Sequence, residues 1–232
     1  MPWRTSDVAA LLVYYAWLLW PAALAGAPGA VGPAPEPQLL AVQALLLQGV
    51  PLLWIAWRLT LYRLSPVKVF APARGMRGRR AVLLGLVFGL GVFVLTLALG
   101  ALLARLLPRW GICPAPQPTL QWLRDPATPG ATRWMLVALA VIVAPVAEEA
   151  VFRGVLFPAV RQQAGTVRAA LLTSILFALV HLHVPALIPL TLLGLTLCAG
   201  YVYTRNLLTP IVMHATLNGL NLITLMLIEV FG

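Results

Sequence analysis

The sequence predicts an all-α protein, a polytopic transmembrane helical bundle with about seven spans. Of its 232 residues, 61% are hydrophobic and only 9% are charged, and the mean hydropathy is +0.93. A soluble domain carries about 25% charged residues, so this chain has too few to cover a water-facing surface. Apolar segments near the length of about 20 residues that a membrane-spanning helix needs recur along the whole chain.

The apolar segments divide into two groups. Three precede residue 134, and the sequence therefore predicts an N-terminal part, 1–133, made of the first three spans with their loops. Four follow in the C-terminal part, 134–232. The predicted spans are 8–25, 38–57, 81–104, 134–152, 168–182, 184–203 and 209–230.

Local features refine the first three spans. The first ends in Ala-Leu-Ala, which resembles a signal-peptidase site, but four aromatic residues inside it favour a retained span. Pro51 predicts a kink in the second span, which neighbouring helices can accommodate. Gly85 and Gly89 in the third span form a small-xxx-small pair that permits close helix approach.

Basic residues predict the orientation of the chain. Loop 58–80 contains seven Lys and Arg residues, and the positive-inside rule makes it cytoplasmic. Alternation then predicts a cytoplasmic N-terminus in a multi-pass protein of the cell membrane, most simply a bacterial inner membrane, and leaves loop 26–37, without Lys or Arg, outside. The net charge of +10 lies mostly in loops and lacks interleaved aromatic residues, so we expect the lipid bilayer and no nucleic acid as partner.

Two of the six acidic residues are adjacent, Glu148 and Glu149, in an apolar run. A charge within a membrane span costs about 2.5–3.5 kcal/mol on insertion scales and indicates function. Glu149 and Arg153 share a helix face at i,i+4 and can pair. Glu148 points about 100° away from Glu149, and an unpaired carboxylate in apolar surroundings suits a general base. The alternative is an ion-pair cluster that caps the helix.

Further polar residues stand one helical turn apart on two other predicted spans. His181 follows Phe177 at i,i+4, and His214 precedes Asn218 at the same spacing. Taken singly, such a histidine is more often a hydrogen-bonded packing residue. Together with Glu148 they supply a base, polarising donors and an oxyanion stabiliser. His183 falls off that face and is interpreted as interfacial.

These residues resemble the three-motif signature of the CPBP family, the CAAX-protease and bacteriocin-processing (Abi) membrane proteases. The pattern Glu-Glu-x-x-x-Arg is matched by Glu148, Glu149 and Arg153, Phe-x-x-x-His by Phe177 and His181, and His-x-x-x-Asn by His214 and Asn218. The resemblance covers about 134–230, which makes 134–232 the catalytic part.

The resemblance implies an intramembrane endopeptidase in which Glu148 activates a water molecule. It implies that His181 holds or polarises the water and that His214 and Asn218 stabilise the oxyanion. Glu149, Arg153 and Phe177 would support these catalytic residues. The implied partner is a membrane-protein or lipidated peptide substrate, and no cofactor is expected.

Four alternatives remain open. Glu148, His181 and His214 could form a His₂Glu zinc set with water in the fourth position. The chain could be a non-proteolytic immunity or scaffold protein of the same fold. It could be a proton-coupled transporter, although the matched halves typical of that class are not found. An inverted topology would turn the site outward, as in the myxosortase-like branch of the family.

Overall fold

The computed structural model describes residues 3–25, 32–71, 75–111 and 117–231. Six residues of the predicted outer loop, 26–31, and Arg74 of the basic loop lie outside these ranges. Within them the chain forms eight helices, and no strand occurs. The helices are α1 (Thr5–Ala25), α2 (Pro37–Leu61), α3 (Pro66–Phe70), α4 (Gly78–Leu106), α5 (Pro118–Arg124), α6 (Gly130–Leu179), α7 (Leu187–Thr204) and α8 (Leu208–Phe231).

The predicted all-α bundle is confirmed. Five stretches are long and apolar enough to cross a membrane, namely Pro37–Leu61, Gly78–Trp110, Gly130–Leu179, Val184–Thr204 and Leu208–Leu227. Outside these five, α1 is a further apolar helix of 21 residues. The number of about seven spans stays a prediction.

The helix α6 reverses direction at Gly165. The backbone there has φ 79° and ψ 171°, a left-handed φ that favours glycine. The rings of Phe152 and Phe177 are 5.2 Å apart, whereas 25 residues of straight helix would separate them by about 37 Å. The amphipathic segment 154–165, expected to connect two spans, is therefore helical and belongs to the first arm of α6, which ends at Gly165. The second arm runs from there to Leu179.

Three prolines explain three local widenings of the helices. Pro51, Pro145 and Pro158 each follow shortly after a π-helical turn. A proline inside a helix has no N–H and its ring crowds the carbonyl four residues earlier, so a wider turn relieves the contact. The predicted kink at Pro51 takes this form. The π turns are Leu45–Gly49, Leu139–Val143 and Phe152–Leu156.

Side chains from α1 and the residues before it satisfy carbonyl groups that these prolines leave free. Gly154 lies four residues before Pro158, and its carbonyl accepts a 2.6 Å hydrogen bond from the Trp3 indole N–H. Leu47 lies four residues before Pro51, and its carbonyl accepts a 3.2 Å bond from the Tyr15 hydroxyl. Backbone groups in an apolar medium need such partners, so α1 is an integral part of the bundle.

The close approach predicted from Gly85 and Gly89 is confirmed. A Cβ atom built on Gly85 would lie 2.7 Å from Cβ of Val212, and one on Gly89 would lie 2.7 Å from Cβ of Thr216. Real Cβ atoms do not come so close, so only glycine lets α4 pack this tightly against α8. This contact fixes the helix that carries His214.

The outward faces of the long helices are apolar. Side chains along α4, for example, are at least half exposed although they are large and hydrophobic, and such a surface needs lipid rather than water as its solvent. The examples are Leu83, Val87, Leu90, Val94 and Leu97. The protein is therefore embedded in a membrane.

Candidate active site

The two glutamates lie between two π turns of α6. An α-helical stretch of eight residues, Ala144–Val151, carries them, with one π turn before it and one after it. Single π turns inside α-helices occur frequently at functional sites. The Glu149 side chain is fully buried, whereas 22% of the Glu148 side chain is exposed. The two carboxylates therefore have different surroundings, as their helical positions predict.

One oxygen of Glu149 links two cationic or polar side chains. Oε1 accepts a 2.9 Å hydrogen bond from Arg153 Nη1, which confirms the predicted i,i+4 pair. The same oxygen lies 3.1 Å from Nδ1 of His214. Because a carboxylate can only accept, Nδ1 carries the proton and donates it. Glu149 therefore fixes both the tautomer and the orientation of the His214 ring.

Arg153 is held on several sides within the core. Its Nη2 donates a 2.8 Å hydrogen bond to the carbonyl of Gly194 on α7. Its guanidinium carbon lies 5.0 Å from the centroid of the Phe177 ring, within the range of a cation–π contact. The ion pair with Glu149 is thus tied to α7 and to the second arm of α6.

Glu148 faces the other nitrogen of the same histidine. Its Oε2 lies 4.0 Å from Nε2 of His214, which is beyond hydrogen-bond distance. That oxygen is buried and has no hydrogen-bond partner among the described residues. Oε2 of Glu149 is also buried without a partner among the described residues, so the two glutamates differ in their exposure, 22% for Glu148 against 0% for Glu149, and in their partners. A single water molecule placed between Oε2 of Glu148 and Nε2 of His214 could hydrogen-bond to both atoms.

His181 lies at the end of the second arm of α6, next to Phe177. Its Nδ1 is 2.6 Å from the backbone carbonyl of Phe177, so this nitrogen donates and Nε2 is left with its lone pair. The ring of Phe177 lies 4.8 Å from that of His181 and 5.8 Å from that of His214. Within the described part of the chain no hydrogen bond or ion pair joins His181 to Glu148, and the ring of Phe177 contacts both histidines.

Asn218 lies one turn beyond His214 on α8. Its Nδ2 donates a 2.8 Å hydrogen bond to the carbonyl of Ala140, in the π turn that precedes the glutamates. One of its two N–H groups is thereby engaged, and the other remains available as a donor. Asn218 thus ties α8 to α6 just before the glutamate pair. His183, interpreted as interfacial, is partly exposed and precedes the short turn Val184–Ala186.

Three features of the site have no signal in the sequence. These are the contact of His214 with Glu149, the use of the Gly194 carbonyl by Arg153, and the nearness of Tyr15 to Glu148, which is close enough for an electrostatic interaction. Each joins residues on different helices. Periodicity predicts which residues share one face of a helix, but it does not predict how far that helix is shifted along a neighbouring helix. These three contacts are therefore seen only in the packed structure.

The described residues contain no group of three His, Cys, Asp or Glu side chains arranged to hold a metal ion. Glu148 and His214 lie 4.0 Å apart, whereas no contact of His181 with either is found among the described residues. The donors of the proposed His₂Glu set therefore do not converge, and we derive no step through a metal.

An apolar cavity of about 260 Å³ lies beside the site, between α1 and α6. Phe152 and Val180, which line it, are the neighbours in sequence of Arg153 and His181. Phe152 also stands one helical turn after Glu148, at i,i+4, and its ring contacts that of Phe177. Its other lining residues are Leu12, Tyr15, Ala16, Leu19, Trp20, Leu156, Leu176 and Leu179.

Comparison with known proteins agrees with this arrangement of helices and motifs. Residues 130–220 match the family described as type II CAAX prenyl endopeptidase Rce1-like. The matched range spans α6, α7 and the part of α8 that carries His214 and Asn218. This part of the chain is similar to that family of CAAX-type membrane proteases. The N-terminal helices α1 to α5 lie before the matched range.

A curated relative is named as a membrane peptidase. It is the Bacillus subtilis (strain 168) protein named "Putative membrane peptidase YdiL", which is 30% identical over 84 residues. The match covers 36% of this chain and 34% of the relative, so the chain matches about a third of that protein's length. No solved structure gives a significant match.

Proposed function

We propose that the chain is an intramembrane endopeptidase that hydrolyses a peptide bond of a membrane-associated or lipid-anchored substrate. The observation that carries the proposal is the buried Oε2 of Glu148, which lacks a hydrogen-bond partner and lies 4.0 Å from Nε2 of His214. A carboxylate in this state can accept a proton from water, and the adjacent imidazole can contact the same reacting group.

In the proposed reaction Glu148 takes a proton from the attacking water. The oxygen of that water forms a bond to the carbonyl carbon, and the carbonyl oxygen becomes an oxyanion. Collapse of the tetrahedral intermediate breaks the C–N bond, and the proton held by Glu148 passes to the leaving amine. The products are a new carboxyl terminus and a new amino terminus.

The oxyanion needs fixed donors in a site from which water is excluded. We assign this role to His214 with Asn218. Since Nδ1 of His214 already donates to Glu149, its Nε2 donates to the oxyanion in the imidazolium form. Asn218 has a second N–H for the same purpose, beyond the one bonded to Ala140. His181, with its Nε2 lone pair, is assigned to hold the water.

Glu149 and Arg153 are assigned as positioning residues. They form the ion pair that fixes the His214 ring, and neither touches the reacting atoms in this proposal. The arrangement parallels a carboxylate that orients the imidazole of a catalytic triad, although the nucleophile here is water.

The apolar cavity supports a hydrophobic or lipidated substrate. Among the described residues no charged side chain lines it, and it is lined by Phe152 and Val180, the sequence neighbours of Arg153 and His181. A hydrocarbon chain or an apolar peptide segment bound there would present the adjacent peptide bond to Glu148. The names of the matched family and of the Bacillus subtilis relative, a prenyl endopeptidase and a membrane peptidase, agree with this class of substrate.

The test is cleavage of candidate membrane-protein and lipidated peptide substrates by the detergent-purified protein. We expect Glu148→Gln to lower the cleavage rate by about 10²- to 10⁴-fold, while Glu36→Gln, which changes an exposed glutamate just before α2, leaves it intact. The wild type should retain its rate after treatment with a zinc chelator. A chelator-sensitive rate would support the zinc alternative, and function preserved in Glu148→Gln would support the non-proteolytic alternative.

A further inference from the structure

A second cavity, of about 780 Å³, lies at the end of the bundle where α4 begins and α7 ends. It is built from two short segments, 75–80 and 203–205. Three arginines line it, Arg77, Arg80 and Arg205. Its volume falls within the range of about 300–1,000 Å³ that is typical of ligand sites.

The cavity has a fixed frame. The backbone N–H of Met76 donates a 2.8 Å hydrogen bond to the carbonyl of Thr204, and Nδ2 of Asn206 donates a 2.9 Å bond to the carbonyl of Met76. Arg205 adopts a left-handed conformation with φ 52° and ψ 31°, which is uncommon for a residue with a side chain. These contacts hold the two segments that carry the arginines against each other.

The three guanidinium groups pair with no carboxylate in the part of the chain that the structure describes. Among the described residues, the buried carboxylates of Asp7 and Glu149 pair with Arg58 and Arg153, and no carboxylate pairs with an arginine of this cavity. Positive charges gathered without counter-charges favour an anionic ligand.

A helix N-terminus adds to the positive field. The helix α4 begins at Gly78, and its N-cap residue Arg77 provides no side-chain hydrogen bond to the first N–H groups. The N-terminus of α8 lies nearby but is capped, since the Leu208 N–H donates to Oδ1 of Asn206. Uncapped N–H groups beside arginines are a common site for a phosphate oxygen.

Apolar residues lie directly next to this charged end. Leu83 and Val87 follow on the exposed face of α4, and Tyr203 at the rim is 69% exposed. A ligand with a phosphate at the bundle end and hydrocarbon along α4 would cover both surfaces. Basic pockets between spans on the cytoplasmic side bind lipid head groups in this way.

We propose that this cavity binds the phosphate of an anionic phospholipid head group, with the acyl chains along the outer face of α4. The site is separate from Glu148 and does not depend on the proposed proteolysis. Six residues of α8 separate Leu208 from His214, a rise of about 9 Å. A lipid held here would therefore fix the depth of the candidate active site below the phosphate layer.

The experiment titrates the detergent-purified full chain with a short-chain phosphatidylglycerol and, in parallel, with phosphatidylcholine of the same chain length. Binding is followed by native mass spectrometry. We expect tighter binding of phosphatidylglycerol and about fivefold weaker binding for each cavity arginine removed. Arg80→Gln and Arg205→Gly are the test variants, and the glycine suits the left-handed backbone at that position.

Arg79→Gln is the matched control. Arg79 stands in the same first turn of α4, carries the same charge and does not line the cavity. Equal weakening by Arg79→Gln would overturn the proposal in favour of diffuse surface charge. Thermal unfolding checks that each test variant is folded. Unchanged phosphatidylglycerol binding by a folded Arg80→Gln or a folded Arg205→Gly would also overturn the proposal, and one such variant is enough.

Two further titrations separate the possible sources of the anion. Inorganic phosphate should bind far more weakly than the lipid, because it lacks the acyl chains. Phosphate binding as tight as phosphatidylglycerol would show a site for free phosphate. A peptide with a free terminal carboxylate that displaces phosphatidylglycerol at lower concentrations than phosphate does would show a peptide site instead. Either result would contradict the lipid proposal.

Discussion

At the scale of single residues, the structure gives two adjacent glutamates different environments. Glu149 is fully buried and accepts hydrogen bonds from Arg153 and His214 through one oxygen. Glu148 is partly exposed, and its Oε2 has no partner within the described chain. We expect the first to stabilise the fold and the second to be free for chemistry.

This difference predicts opposite effects on stability. Glu149→Gln removes the charge that compensates buried Arg153, and breaking a buried pair in this way costs about 3–5 kcal/mol. Glu148→Gln removes a carboxylate that repels Glu149, so we expect an unchanged or higher unfolding temperature. Thermal unfolding in detergent measures both. A larger loss in Glu148→Gln than in Glu149→Gln would contradict the assignment.

The sequence predicts the part of this network that lies within one helix. The pairing of Glu149 with Arg153 follows from a spacing of four residues, and so does the nearness of Phe177 to His181. The 3.1 Å contact between His214 and Glu149 does not follow, because it depends on the height of α8 against α6. That height is set by packing, which the sequence pattern leaves undetermined.

At the scale of helices, the contact between α4 and α8 positions His214. Gly89 lies against Thr216, two residues beyond that histidine, and Gly85 lies against Val212, two residues before it. The sequence predicts that these glycines allow a close approach, but it does not say which helix approaches. Of the three π turns, the sequence predicts only the one near Pro51, and it predicts that one as a kink.

A methyl group at this contact should disturb both stability and activity. Gly89→Ala would bring a Cβ to 2.7 Å from Cβ of Thr216, and overpacking of this kind costs about 1–3 kcal/mol. It would also displace His214, and a shift of about 1 Å at a catalytic group can lower the rate about 10²-fold. Cleavage rate and thermal unfolding of the purified variant measure the two effects.

Gly91→Ala is the control for this prediction. Gly91 lies on the same helix two residues further on, and a Cβ there would have nothing within 4 Å. Alanine is also the better helix former, so Gly91→Ala should leave activity unchanged and stability equal or higher. Equal losses in the two variants would mean that the α4–α8 contact does not control the position of His214.

At the scale of the whole molecule, polar contacts join α1 and the residues before it to α2 and α6. Asp7 is buried and forms a 2.5 Å ion pair with Arg58 on α2, and it accepts a 2.9 Å hydrogen bond from the Tyr62 hydroxyl. Trp3 is buried, stacks on Trp54 and bonds to Gly154 beside the glutamate pair. The division at 133–134 separates sequence segments whose helices pack into one bundle.

Trp3→Phe should therefore destabilise the bundle. The ring remains, but the carbonyl of Gly154 loses its donor, and an unsatisfied buried backbone group costs about 1–3 kcal/mol. Trp17→Phe changes a side chain that is 70% exposed and should have little effect. The unfolding temperatures of the two variants are the measurement. An effect of Trp17→Phe as large as that of Trp3→Phe would contradict the role given to the α1 contact.

The central claim is that Glu148 activates the water that cleaves the substrate. Its most direct test is the single-turnover rate constant for peptide-bond hydrolysis by Glu148→Gln, measured on protein whose unfolding temperature matches the wild type. Loss of a general base predicts a rate constant lower by about 10²- to 10⁴-fold, with substrate binding unchanged. A rate constant equal to that of the wild type would contradict the claim.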